Sequence, residues 1–157
     1  MKKNQKYCAG FTLIEIIISI AILGIIAALG LFISMDFAKG YNFRSEKNVV
    51  VSLLQKARGE SLNNIDQTRH GVHFQASPLK YIIFECPTAT PQCASYTSNS
   101  NDLVIDPSYN VSITNPSLPF DVIFNQLDGT SNALAIVVDD GTKSYTISIN
   151  AEGRIDW

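Results

Sequence analysis

The chain reads as an α+β protein: a long N-terminal helix, membrane-spanning in its first half, packed on a mainly antiparallel β-sheet. Three observations predict this. Apolar residues make up 46% of the chain but crowd towards its beginning. A helical period continues past that crowding to about Asn63, and beyond it the period of the apolar residues changes to two. With the N-terminal apolar segment set aside, roughly 120 residues remain, which suits one domain around one small core.

From Phe11 to Ile33 the sequence FTLIEIIISIAILGIIAALGLFI carries a single charge, Glu15. As a helix it spans about 34 Å at about 1.5 Å per residue, enough to cross a bilayer. Lys2, Lys3 and Lys6 precede it; by the positive-inside rule they hold the short end in the cytoplasm and send the C-terminal domain outward. An ordinary secretory signal has an apolar region of only about 7 to 15 residues and ends in a small-x-small cleavage site. A lipoprotein signal places its cysteine after the apolar stretch, whereas Cys8 comes before it. The remaining rival is a plain single-pass anchor, and Glu15 speaks against it. A carboxylate inside a membrane helix costs roughly 2.5 to 3.5 kcal/mol on insertion scales and calls for a partner. A cut between Gly10 and Phe11 supplies one, because the new α-amine of Phe11 is a cation in or near the same layer. Glu15 of a neighbouring subunit then pairs with it and sets axial register between packed helices. Ala21, Gly24, Ala28 and Gly30 punctuate the run and suit close helix packing, with lipid-facing filler as the competing reading.

The formal charge is -2, and three of the 12 basic residues lie ahead of Gly10, so removing that leader leaves nine against 14 acids and a charge of -5. Such a surface has no general attraction for nucleic acid or anionic lipid.

Past residue 34 the helix continues, with Val50, Leu53, Leu54, Ala57 and Ser61 on one face. Glu46, Lys47, Lys56 and Glu60 are expected on its solvated side. Strands are then expected at 70–75, 81–85, 103–105, 111–114, 120–124, 134–138 and 144–150. The last hairpin is the clearest: Tyr145, Ile147 and Ile149 alternate with Ser144, Thr146 and Ser148 behind an Asp140-Gly141 turn. Between Pro87 and Pro119 the Ser, Thr, Asn and Pro content reads as exposed loops.

Cys86 and Cys93 bracket PTATPQ in a segment placed outside the cytoplasm, where a disulfide is favoured. Closing so short a loop would stabilise by about 2 to 3 kcal/mol. Two thiols without a nearby histidine or second cysteine pair make no tetrahedral metal site. His70 and His73 sit at an odd separation in a strand, so they face opposite ways and do not share a metal. No Walker motif, dinucleotide fingerprint, G-x-S-x-G or Cys-His arrangement appears. No catalytic residue, cofactor or metal is expected, and the chain does not read as an enzyme.

A family resemblance rests on KYCAG/FTLIE: a short basic leader ending in glycine, then phenylalanine, with glutamate fifth after the cut. This resembles the class III signal of type IV pilins and pseudopilins. The resemblance implies that a membrane prepilin peptidase cleaves after Gly10 and methylates Phe11, and that Glu15 serves assembly and register. Four segments follow: a leader (1–10), a transmembrane and assembly helix (11–33), its amphipathic continuation (34–64) and a β-rich globular domain (65–157). The fold is then pilin-like. Many relatives carry a proline where this chain has Phe32, so any kink must arise at Gly24 or Gly30 or be absent.

Two further pieces, SLLQKARGESLNN and the closing SINAEGRIDW, resemble the GspH/FimT group of minor pseudopilins and minor pilins. That group implies a subunit held in the bacterial inner membrane and then built into a pilus or pseudopilus. Its implied partners are other pilins met through the N-terminal helix, the prepilin peptidase and an inner-membrane assembly platform. Some members use a basic G-R-x-R strand end in DNA uptake. Here the positions read Gly153-Arg154-Ile155-Asp156-Trp157, leaving Arg154 and a stacking Trp157 as weak DNA contacts, so nucleic acid is not an expected partner. A DNA-binding minor pilin and a membrane-anchored binding domain outside any fibre are the alternatives.

Overall fold

The computed structural model describes residues 11–87 and 89–157, excepting the side chains of 31–37. The chain forms two compact units, Met1–Gly40 and Tyr41–Trp157. Helix α1 covers Leu13–Leu62. Within the first unit it runs unbroken through Gly24, Gly30 and Phe32, so the absence of proline at 32 is matched by the absence of a break. Every backbone donor there remains free to bond its own helix.

In the second unit, α1 presents the expected stripe: Val50, Leu53, Leu54, Ala57 and Ser61 are all buried. The helix ends against a 3-10 turn, Ile65–Gln67, entered through Asn64 at φ 54°. Among the described residues eight strands follow: β1 (His70–Gln75), β2 (Lys80–Glu85), β3 (Leu103–Ile105), β4 (Ser112–Asn115), β5 (Phe120–Phe124), β6 (Leu134–Asp139), β7 (Ser144–Ile149) and β8 (Ile155–Asp156). All the pairings between them are antiparallel. They make two four-stranded sheets, ordered β3-β2-β1-β5 and β4-β6-β7-β8, rather than the one sheet expected. Alternation identifies a strand but not its neighbours, so the division was not legible. Strand β8 was missed because two residues carry no period, although Ile155 is buried. One apolar cluster joins α1 to both sheets, with Phe43, Leu54, Phe74, Phe124, Ile136 and Ile147 all fully buried.

Glu46 overturns an expectation. It is not on the solvated side but wholly buried. It stands four residues before Val50 and three after Phe43, which puts it on the core stripe itself. Its Oε2 accepts from Ser108 N at 3.0 Å and from Ser108 Oγ at 2.7 Å. Burial, reinforced by the charge of Glu46, holds the phenol of Tyr81 well above the ordinary tyrosine range. The other three members of that face are wet or half-buried; Lys56 and Glu60 form a loose pair at 3.9 Å, worth little.

The β6–β7 hairpin turns as expected, with Gly141 at φ +86°. The Asp140 carboxylate accepts from Thr142 Oγ1 at 2.7 Å, Thr142 N at 2.8 Å and Lys143 N at 2.8 Å. These bonds, led by that from the Thr142 hydroxyl, hold Asp140 below the usual carboxylate range. A depressed native value contributes stability above the unfolded value, near pH 4, that is lost as pH falls through the native one. Urea unfolding between pH 5 and 2.5 should therefore show a small acid-side loss that shrinks in Asp140→Ala; an unchanged profile would mean the turn does not depend on the ionised side chain.

Candidate functional site

Helix α1 begins with a reciprocal cap. Thr12 precedes α1, and its Oγ1 accepts from Glu15 N at 3.4 Å while donating to Glu15 Oε2 at 3.0 Å. Thr12 N donates to the same Oε2 at 2.9 Å. This is the capping box T-x-x-E, which satisfies donors that a helix start otherwise leaves unpaired. It also places a carboxylate in the first turn, where the helix dipole favours negative charge. Sequence reasoning took Glu15 to lack a partner within its own chain, and the signal that would have supplied one was the Thr12-x-x-Glu15 spacing. Glu15 nevertheless remains exposed, so its carboxylate is open to a second partner.

Around that cap the surface is apolar on every side. The segment Leu13–Gly30 has a mean hydropathy of 2.7 and none of it is buried. Phe11 is 84% exposed. A helix apolar all round is stable in lipid or among other helices rather than in water. Nothing lies within 4 Å of where a side chain would stand at Gly24 or Gly30, so a single chain imposes no steric need for glycine there. Gly10, on which the expected cut falls, lies outside the described residues.

The remaining candidates lie in the second unit and do not converge. Cys86 and Cys93 are joined by a disulfide with Cα atoms 5.5 Å apart. Cys86 N donates to Arg69 O at 2.9 Å, and Arg69 N to Pro91 O at 3.1 Å, so the closed loop is laced to the approach to β1. His73 Nδ1 lies 2.6 Å from Asp121 Oδ1, and its ring stacks on Tyr96 at 4.3 Å. His70 is buried and points the other way, as the odd separation requires. Arg154 is tied up by its neighbour: Nε and the NH2 nitrogen each stand 2.9 Å from Asp156 Oδ1. Trp157 lines a groove with Gln55, Arg58, Gly59 and Leu62 and stays 57% exposed.

Residues 5–31 match the family model of the prokaryotic N-terminal methylation motif. No curated protein and no solved structure matches the chain. The matched motif supports a type IV pilin-like protein, processed by prepilin peptidase, and points to a structural subunit rather than an enzyme.

Proposed function

We propose that the chain is a minor pilin or pseudopilin, made as a prepilin, cut after Gly10 and methylated at Phe11. It then enters a type IV pilus or type II secretion pseudopilus through the helix that starts there. The observation that carries this reading is the matched methylation motif leading into a wholly uncovered apolar helix whose first turn displays Glu15. Before assembly the subunit sits in the inner membrane with its lysine-bearing end in the cytoplasm. In the fibre, Glu15 meets the new amine of a neighbouring Phe11. The capping box keeps the carboxylate at the helix start, at the level where that amine emerges. Partners are therefore other pilins, the peptidase and an assembly platform. The pairing of Arg154 with Asp156 sets an acid beside the guanidinium and gives no support to a role in DNA uptake.

Mass spectrometry of the chain from cells with and without prepilin peptidase tests the reading. The expected product with the enzyme starts at methylated Phe11, and without it Met1–Gly10 is retained. Retention in both samples would sink the proposal, and a processed subunit that never copurifies with other pilins would leave only the membrane-anchored alternative. Glu15→Ala should be cut normally yet fall at least tenfold in fibre incorporation, because it loses the charge that the Phe11 amine meets.

A further inference from the structure

We propose that the second unit carries a divalent transition-metal site, formed by Asp66, His70 and Glu85 and best suited to zinc. The three residues arrive from different elements: Asp66 from the 3-10 turn, His70 from the start of β1 and Glu85 from the end of β2. His70 and Glu85 are direct cross-strand partners, so their side chains leave the sheet on the same face. One ligand atom from each of the three residues lies within 4.8 Å of the other two.

A second observation points to a ligand. His70 is only 3% exposed, yet its Nδ1 has no hydrogen-bond partner among the described residues. Its ring lines a pocket of about 120 Å³ together with Asp66, Glu85, Lys56 and Glu60. A buried polar nitrogen without a partner is costly, and an ion bound through Nδ1 would satisfy it. Glu85 is already held for the task, because Asn101 Nδ2 and Asn99 Nδ2 donate to its Oε1 at 2.7 and 3.3 Å. Carboxylate ligands are commonly oriented by such outer hydrogen bonds. Asp66 adopts φ +50°, a conformation rare for a residue with a side chain.

The donor set selects the ion. One imidazole nitrogen with two carboxylates is too nitrogen-rich for magnesium or calcium and lacks the thiolates that soft ions prefer. Zinc accepts such a set at about 2.0 to 2.2 Å, with water at the fourth position. Tetrahedral ligands at that radius stand about 3.4 Å apart, so atoms that lie within 4.8 Å of one another need only a small inward turn of the carboxylates. Glu60 and Lys56, 3.9 Å apart, also line the pocket and offset each other's charge there. Bound there, the ion would fasten the turn after α1 to the β1–β2 pair.

The test uses the full chain, purified in detergent without a histidine tag, stripped with EDTA and carrying Cys8→Ser to remove a stray thiol. Titration with zinc chloride should show one saturable site per chain of micromolar or tighter affinity and a rise in Tm, with calcium and magnesium at least 100-fold weaker. Cobalt should give the visible absorption of a four-coordinate ion. Asp66→Asn, which lies on the surface and should fold, is expected to weaken zinc at least tenfold, and Glu85→Gln similarly. His70→Asn should abolish the site if it folds. Absent saturable binding, calcium binding as tight as zinc, or wild-type affinity in both Asp66→Asn and Glu85→Gln would overturn the assignment.

Discussion

Gly153→Ala is expected to destabilise the second unit by about 3 to 5 kcal/mol, through strain and a collision together. Gly153 has φ +71°, a left-handed conformation that costs a side-chain-bearing residue about 1 to 2 kcal/mol. The larger share comes from what surrounds it. A methyl group there would stand 1.8 Å from Gly129 O and 3.0 Å from Gly129 C, and backbone cannot turn aside as a flexible side chain does. Three pieces meet at this point. Arg58 of α1 reaches Gly129 O through Nε at 3.4 Å and Glu152 O through its NH2 nitrogen at 3.2 Å. Ser131 N donates to Ala151 O at 3.2 Å. The turn before β8 is thus clamped between the helix and the β5–β6 loop, and the added carbon must part them. Gly141→Ala is the control: its φ is +86° but nothing lies within 4 Å, so it should cost only the strain, about 1 to 2 kcal/mol. Denaturant unfolding followed by fluorescence of Trp157, the single tryptophan, measures both. Equal losses at the two positions would show that strain alone acts at Gly153.

Glu46→Ala should cost about 2 to 4 kcal/mol, since it leaves the Ser108 N–H and hydroxyl without their acceptor and opens a gap beside Tyr81. Both bonds go to one carboxylate oxygen, 62 residues away in sequence, so they pin the loop before β4 to the helix. Glu46→Gln keeps an acceptor oxygen and should cost about 1 kcal/mol, while Ser108→Ala removes one bond and spares the other. If Glu46→Ala unfolds at the same urea concentration as the parent, the buried carboxylate contributes nothing to the fold and its burial needs another explanation.

These two positions show where sequence reading stops. The alternation in β1, β5 and β7 is a local property with a period set by strand geometry, and those elements were placed to within a residue. Glu46 was misplaced because charge was weighed above phase: the helical period put it on the core stripe, and only a donor 62 residues distant explains how the core tolerates it. The capping box is legible in the spacing Thr12-x-x-Glu15, a local signal that needs no second chain. The Asp66, His70 and Glu85 cluster was hidden for the opposite reason. Its members lie on three elements, and no spacing announces a cross-strand pair until the register of β1 on β2 is known.

The reading proposed for the N-terminal segment rests on sequence: length, apolarity, three lysines, Gly10 and Glu15, because insertion and processing act on a local, linear signal. The long helix and nearly every strand follow from period alone for the same reason. Tertiary structure decided the rest: that the strands divide into two sheets, that Glu46 is buried on Ser108, that Gly153 tolerates no side chain and that Arg154 pairs with Asp156. Each of these depends on which distant segments meet, and close packing rather than local propensity settles that question.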